Sequence, residues 1–215
     1  LEEIFIRAAI PYRVLGGTKF YERAEIKDAM AYLITVANPA DPMALRRILN
    51  VPKRGIGSVT ETTLQRYADE HETTMRDALR HAGELGFGPK VRNAITEFAA
   101  LLDAVSEKAQ TQPVVDTLTQ LLDGSGLLDN LRKSPDAQDA ARADNIDELV
   151  AVTREFQKNN PEGTLSDFLT EVSLVAAADE LDDSSGTVSL MTLHTAKGLE
   201  YDAVFLTGVE EDLLP

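Results

Sequence analysis

A long series of amphipathic helical segments lies between two short stretches of strand-like sequence, and this arrangement limits the possible folds most strongly. Residues 22–37 carry apolar side chains three and four positions apart, which is the spacing of an amphipathic helix. Turn-forming sequences such as Asn38-Pro39 divide the following chain into further segments of the same kind. These segments predict helices at residues 42–49, 58–70, 74–82, 89–109, 113–123, 142–158 and 165–178.

Strand-like sequence occurs on both sides of this helical series. Tyr12–Leu15 is a short candidate strand that follows a helix ending at Ile10-Pro11. After the helices, residues 187–193 alternate in polarity, and residues 202–207 form a run typical of a buried strand. The chain is therefore predicted to be mostly α, with a helical insertion inside a partial α/β domain. We expect the α/β parts at residues 1–20 and 185–215, and the insertion at residues 21–184.

The composition is that of a soluble globular protein. Hydrophobic residues make up 43% of the chain and charged residues 27%, and no apolar stretch of about eighteen residues could span a membrane. The N-terminus lacks the basic and apolar regions of a signal peptide. Cysteine is absent, which excludes disulfides and thiolate metal sites and favours a cytoplasmic location. The three histidines, His71, His81 and His194, are too scattered to predict a metal site.

The charge is negative overall but unevenly distributed. A net charge of −15 argues against a surface that binds nucleic acid everywhere. Between Asp41 and Arg66, however, five basic residues stand against two acidic ones. Between Asp136 and Asp183, thirteen acidic residues stand against three basic ones. We expect a DNA contact in the basic window, and a solvated face or a protein-binding surface in the acidic one.

The sequence VPKRGIG, at Val51–Gly57, joins two predicted helices and is a candidate anion site. Ser58-x-x-Glu61 matches a capping box, which would begin the second helix at a defined point. Gly55 and Gly57 would let a ligand approach the backbone, while Ile56 anchors the turn in the core. Lys53 and Arg54 would add charge beside the helix N-terminus, an arrangement that suits a DNA phosphate. The same pattern is also typical of a plain tight turn, and both interpretations stay open at this point.

A second candidate site is TLHTAKGLE, at Thr192–Glu200. A strand ending at Leu193 would place His194, Thr195 and Lys197 at its carboxyl end, where open α/β sheets bind ligands. Hydroxyl, imidazole and ammonium groups donate to phosphate, and the carboxylate of Glu200 could accept from ribose hydroxyls. A polar loop with a partly exposed histidine would have the same composition.

Several segments resemble the superfamily 1A DNA helicases, the UvrD/PcrA/Rep family, in that family's order and spacing. TLHTAKGLEYDAVFLTGVEEDLLP is similar to motif V, and GGTKFYERAEIKDAMAYL, at Gly16–Leu33, is similar to motif IVa. VPKRGIGSVTETTL resembles the GIG element of subdomain 2B, and the initial LEE resembles the end of motif IV. The resemblance implies a helical subdomain 2B, with a helix-hairpin-helix-like element, inserted in the partial RecA-like subdomain 2A. Residues from about Leu118 to Asp183 match no motif.

The resemblance also implies roles for individual residues. Thr192 and His194 would contact single-stranded DNA, and Glu200 would bind the ribose of ATP. Motif IVa would lie at the junction of 2A and 2B, with no separate role implied for Gly17, Phe20, Arg23, Glu25 or Asp28. The residues expected to contact duplex DNA ahead of the fork are Lys53, Arg54, Gly55, Ile56, Gly57, Ser58 and Thr60.

The family's nucleotide-hydrolysing motifs do not occur in this sequence. We find no Gly-rich loop ending in Gly-Lys-Ser/Thr, no DExx box and no motif VI arginine, so no catalytic residue is predicted. The chain begins without Met inside a candidate helix, which suggests a fragment. By itself it is expected neither to hydrolyse ATP nor to unwind DNA. ATP and Mg²⁺ would be used by an intact parent, a 3′-to-5′ helicase of DNA repair.

Three further hypotheses follow. The insertion could swing about a hinge at Gly16-Gly17 and Ser184–Gly186, moving Gly55–Gly57 onto or off the duplex. The acidic half could instead make the insertion a non-enzymatic docking module for repair or transcription proteins. A helicase–nuclease subunit of the RecB/AddA type would share motif V, although its GIG and IVa segments are seldom so similar.

Overall fold

The structure is a computed structural model that describes residues 2–8, 10–15, 20–181 and 187–208. The proposed hinge segments, Gly16-Gly17 and Ser184–Gly186, lie outside these residues. Two compact units are present: a helical unit, Phe20–Leu181, and a strand unit formed by the described residues before and after it. In chain order the elements are α1 Glu2–Arg7, β1 Tyr12–Leu15, a 3-10 turn Phe20–Glu22, α2 Ala24–Ala37, α3 Pro42–Ile48, α4 Ser58–Glu70, α5 Met75–Arg80, α6 Pro89–Lys108, α7 Val114–Ser125, α8 Leu127–Lys133, α9 Ala137–Asn159, α10 Leu165–Leu181, β2 Val188–Met191 and α11 Leu193–Ala196.

Helix α2 is the centre of the helical unit. Its side chains Ile26, Ala29, Tyr32 and Leu33 are completely buried, and the helix packs against α3, α6, α7, α9 and α10. Complete burial of a large aliphatic side chain contributes about 1.5–3 kcal/mol, so this helix accounts for much of the unit's stability. The helix ends at Ala37, as the Asn38-Pro39 sequence predicts. The mostly α prediction is confirmed.

Several other helices begin or end at capping residues, glycine or proline. Asp41 caps α3 by accepting from the amide nitrogens of Met43 and Ala44, at 2.8 and 3.1 Å. The chain turns at Gly86–Pro89, where Gly86 has a φ of 72° and Pro89 begins α6. Within the described ranges, no helix has both the length and the apolar character needed to cross a membrane.

The structure corrects the prediction around residues 123–142. Helix α7 continues to Ser125, the short helix α8 follows directly, and α9 begins at Ala137 instead of residue 142. Gly126, with a φ of 72°, separates α7 from α8 in a single residue. The first turn of α9 is polar, so it lacks an apolar period, and its start is set by Asp136, which accepts from the amide of Gln138 at 2.9 Å.

The strand unit contains a parallel two-stranded sheet. Strand β1 pairs with β2 in the register Tyr12↔Val188 to Leu15↔Met191. A side-chain hydrogen bond supports the pairing, since Nε of Arg13 donates to Oγ of Ser189 at 3.0 Å. Strand segments from both sides of the helical series therefore meet in one sheet, an arrangement that fits a helical segment inserted in an α/β domain.

The predicted strand at residues 202–207 is wrong. The segment has no regular structure, and the side chains of Val204, Phe205 and Leu206 are 75%, 88% and 55% exposed. A buried strand needs a hydrogen-bonded neighbour and a covering layer. Among the described residues, the sheet consists of β1 and β2 alone, so this apolar segment has neither.

Candidate nucleic-acid interface

The loop between α3 and α4, residues 49–57, is called the hairpin below. Ile56 is only 3% exposed, so the prediction that it anchors the turn in the core is confirmed. Arg46 of α3 joins the two helices, because its Nη2 donates to Oε1 of Gln65 at 2.8 Å and its Nε lies 3.4 Å from Oε1 of Glu61. Gly55 has a φ of 78°, in the left-handed region that side chains disfavour.

Asn50 fixes the backbone of the hairpin. Its Oδ1 accepts from the amide nitrogens of Arg54 and Ile56, at 2.7 and 3.2 Å. These two amides lie on either side of Gly55, so one side chain holds the backbone around the left-handed residue. Sequence reasoning missed Asn50. Its signal is a short polar side chain at the end of a helix, where such residues often bind loop amides.

The guanidinium of Arg54 is directed into the hairpin. It stacks on the ring of Phe98, with Cζ 4.4 Å from the ring centre. Its Nη2 donates to the hydroxyl of Tyr32, another residue that sequence reasoning missed. The Nη1 atom lies close to four carbonyl oxygens, those of Ile48 at 2.9 Å, Leu49 at 3.4 Å, Val51 at 3.0 Å and Pro52 at 3.3 Å.

The start of α4 differs from the predicted capping box. Gly57 is the N-cap and has no side chain, whereas Ser58 is the first helical residue. Glu61 does not reach back to a cap, because its carboxylate pairs with Arg46 of α3. The capping-box prediction is therefore wrong. Because Gly57 has no side chain, the first amides of α4, from Ser58 to Thr60, have no side-chain cap.

The surface beside the hairpin carries polar and basic groups. The side chains of Lys53 and Ser58 are exposed, and Thr60 is half-buried. A shallow groove of about 280 Å³ follows the outer face of α4 and ends at Arg66, whose side chain is 68% exposed. The groove is lined by Ser58, Val59, Thr62, Thr63 and Arg66.

The motif IVa residues within the described ranges connect α2 to other helices. Nη1 of Arg23 donates to Oδ1 of Asn145 in α9 at 2.8 Å, and Nδ2 of Asn145 donates to Oε1 of the buried Glu25 at 2.6 Å. Nε of Arg47 in α3 lies 2.7 Å from Oδ1 of Asp28. Burial raises the pKa of Asp28, and the nearby Arg47 opposes that rise. Phe20 is buried in the core, and Gly17 lies outside the described residues.

The other predicted site residues belong to the strand unit. Strand β2 ends at Met191, two residues earlier than predicted, because the short helix α11 begins at Leu193. The Oγ1 of Thr192 accepts from the amide of Thr195 at 3.3 Å, as a helix cap does. The backbone of His194 lies in α11. Glu200 follows the left-handed Gly198, with φ 86°, and its side chain is exposed.

Comparison with known proteins identifies the family. The model of the UvrD-like helicase C-terminal domain matches residues 1–215. The chain is 40% identical, over its whole length, to proteins named ATP-dependent DNA helicase PcrA from Staphylococcus epidermidis and Staphylococcus aureus. It spans about 30% of the length of these curated relatives. On the match across its full length, the chain belongs to the family of UvrD-like helicase C-terminal domains, of the UvrD/PcrA type.

Proposed function

We propose that the chain is part of an ATP-dependent DNA helicase and that its hairpin contacts the backbone of duplex DNA. The helical unit would be subdomain 2B, and the strand unit would be part of 2A. The relatives named PcrA support the helicase assignment. The observation that carries the DNA contact is the uncapped start of α4 beside the exposed Lys53. Free amides at a helix N-terminus, together with a cation, bind phosphate well.

The glycines allow close approach to this anion site. A Cβ atom added at Gly55 or Gly57 would have no neighbouring atom within 4 Å, so the space above both residues is open. A phosphate could reach the amides of Ser58 and Thr60 from this side and accept from their hydroxyls. The buried Ile56 would hold the turn against the core while its backbone faces the duplex. Such contacts bind DNA without selecting its sequence.

The strand unit would connect this DNA contact to the nucleotide. We infer that Thr192 and His194 contact single-stranded DNA and that Glu200 binds the ribose of ATP. In support, Thr192 and Glu200 are exposed and follow the carboxyl end of β2, the edge at which α/β sheets bind ligands. ATP would be the substrate of the whole helicase, with its phosphates and Mg²⁺ bound by motifs that this sequence does not contain.

Binding to forked DNA at several salt concentrations tests the hairpin proposal. Lys53→Ala should weaken binding and reduce the salt dependence by about one phosphate contact, because each neutralised phosphate contributes a slope of about 0.9. Lys158→Ala is the matched control, since Lys158 is an exposed lysine in the last turn of α9. Equal affinities for Lys53→Ala and the control would remove Lys53 from the interface. No binding even at low salt would count against any DNA contact by this chain.

A second candidate function is a docking surface for a repair or transcription protein on α9 and α10. The net charge of −15 favours it, and Asp144 and Glu171 have exposed side chains. Part of this charge is neutralised within the chain, because Asp147 pairs with Arg132 at 2.7 Å and Asp139 pairs with Arg142 at 2.8 Å. The same titration distinguishes the two functions, since docking alone predicts no affinity for the fork.

A further inference from the structure

We propose that Arg54 is a positioning residue, which holds the hairpin in the conformation that exposes the amides of α4, and is not itself a phosphate ligand. The sequence predicts that Arg54 binds a phosphate, because it is adjacent to Lys53 and to the glycines. The side chain is instead committed to contacts within the helical unit. This inference rests on the proposed function for its DNA consequence, while its structural part can be tested without DNA.

The guanidinium of Arg54 suits the carbonyl groups around it. Helix α3 ends at Ile48, so its last carbonyl groups lack partners within the helix. Nη1 of Arg54 lies 2.9 Å from the oxygen of Ile48 and 3.0 Å from that of Val51. A planar guanidinium donates in several fixed directions, whereas the ammonium of lysine is a compact point charge. Lysine at residue 54 would therefore keep the charge and lose the fixed geometry.

Tyr32 links the hairpin to the centre of the core. The hydroxyl of Tyr32 accepts from Nη2 of Arg54 and donates to the carbonyl oxygen of Val51 at 2.6 Å. Burial raises the pKa of Tyr32, so its hydroxyl keeps the proton that it donates. The ring of Tyr32 meets that of Phe98 edge to face, with centres 6.2 Å apart. Arg54 thus connects the hairpin to α2 and α6.

The contacts of Arg54 also affect the residues that face the DNA in the proposed function. Asn50 binds the amide of Arg54, while the guanidinium of Arg54 binds the loop carbonyl groups. Gly55, with its φ of 78°, leads directly from this fixed residue toward Gly57 and the uncapped start of α4. If Arg54 turned outward to a phosphate, these carbonyl groups would lose one donor, and the oxygens of Ile48 and Val51 would keep only the amide of Val51 and the hydroxyl of Tyr32 respectively. Polar groups that lose a partner away from water are costly.

Hydrogen exchange on the chain without DNA tests the positioning role. Arg54→Lys and Tyr32→Phe should each accelerate exchange at the amides of residues 54 and 56 by about tenfold, the effect of losing about one hydrogen bond. Arg66→Lys is the matched control, because Arg66 is exposed and pairs only loosely with Glu70 at 3.9 Å. A phosphate ligand contributes nothing to the free hairpin. Exchange at the unchanged rate in both hairpin variants would therefore overturn the proposal.

Duplex affinity supplies the second measurement. Arg54→Lys should weaken binding nearly as much as Arg54→Ala, by about tenfold, since neither variant restores the fixed donor geometry. If Arg54 contacts phosphate directly, the lysine variant keeps most of the affinity, and the proposal fails. A chain that binds no duplex in any form would refute the proposed function. The exchange rates at residues 54 and 56 would then still decide the positioning role.

Discussion

Nε of Arg47 lies 2.7 Å from Oδ1 of Asp28, so a charged pair joins the helix before the hairpin to the central helix α2. Nη2 of the same arginine donates to the carbonyl oxygen of Ala24 at 3.1 Å. One turn further along α2, Tyr32 accepts a hydrogen bond from Arg54. Helix α2 is therefore attached to the hairpin at two points, α3 and the loop. We expect the hairpin to move with α2 as one body.

The first prediction is that Arg47→Ala destabilises the helical unit more at neutral pH than in acid. The variant leaves the Asp28 carboxylate, whose side chain is 19% exposed, without its cation. The expected loss is about 1–2 kcal/mol near pH 7. Burial raises the pKa of Asp28 above 3.8. Protonation of this group therefore stabilises the fold, an effect that is complete below the unfolded pKa and is lost as the pH rises through the folded pKa.

Urea denaturation at about pH 7 and about pH 4 measures this difference. Removal of Arg47 raises the pKa of Asp28 further, so acid should recover part of the lost stability. Arg66→Ala is the control, because the exposed pair with Glu70 should contribute less than about 1 kcal/mol at either pH. Equal losses for Arg47→Ala at both pH values would contradict the argument.

The second prediction concerns acid unfolding through Asp103. Arg76 is buried, with its side chain 4% exposed, and its Nη2 lies 3.2 Å from Oδ1 of Asp103. Arg80 donates to the same carboxylate at 2.7 and 2.9 Å. These bonds, that from Arg80 first, lower the pKa of Asp103 below 3.8. The stabilisation is therefore present above the unfolded pKa and is lost as the pH falls through the folded one.

Asp103→Asn should lower stability near pH 7 and flatten the further decline in acid, because the group that titrates has been removed. Denaturant titrations at a series of pH values supply the measurement. Asp129→Asn is a useful comparison. The pKa of Asp129 is also lowered by its neighbour Lys133, but the pair is exposed and should contribute little. An acid decline as steep in Asp103→Asn as in the parent would show that other carboxylates control acid unfolding.

The third prediction is that Gly55→Ala destabilises the hairpin through backbone strain alone. The left-handed φ of 78° costs a residue with a Cβ about 1–2 kcal/mol, while the added methyl group would meet no atom within 4 Å. Gly55→Asn should cost less, because asparagine tolerates this region. Gly83→Ala is the control, since its surroundings are equally open and its φ is not left-handed. If the Gly55 and Gly83 variants unfold at the same urea concentration, strain is not the cause.

The helices could be predicted because their signal is local. Apolar spacing marks α2 and α4, and the Asn38-Pro39 break is contained in two adjacent residues. Both strand segments could also be predicted, since each is β-branched or alternating, whereas their pairing joins residues that are distant in sequence. Helix α8 was missed because the turn sequence at Asp123–Gly126 indicates a loop, whereas Gly126 alone separates α7 from α8. The strand at 202–207 was predicted from its composition, but a strand also requires neighbours.

The site residues were harder to predict because their partners are distant in sequence. The Glu25–Asn145 hydrogen bond joins residues 120 positions apart, and no local pattern marks it. The sequence around Arg54, an arginine beside a glycine turn, would be the same whether the side chain faced solvent or the core. Only the position of Tyr32 and Phe98 decides its direction. The capping box failed for a similar reason, since Glu61 found a tertiary partner in Arg46.

The last prediction is that a side-chain cap at residue 57 has opposite effects on stability and on DNA binding. Gly57 is the N-cap of α4 and provides no side-chain acceptor. Gly57→Ser would supply one for the amides of the first turn and should stabilise the helix by a few tenths of a kcal/mol. The hydroxyl would occupy the amides that the phosphate needs, so duplex affinity should fall.

Gly57→Asp should weaken binding further than Gly57→Ser, because its carboxylate also repels phosphate. Gly57→Ala separates competition from steric obstruction, since alanine adds a Cβ but no acceptor. Thermal unfolding and duplex titration of the three variants supply the two measurements. A serine variant that is more stable and binds less tightly than the alanine variant would locate the phosphate at the start of α4. A serine variant that is more stable and binds equally well would mean that the DNA contacts the hairpin elsewhere, because a filled cap cannot also donate to phosphate.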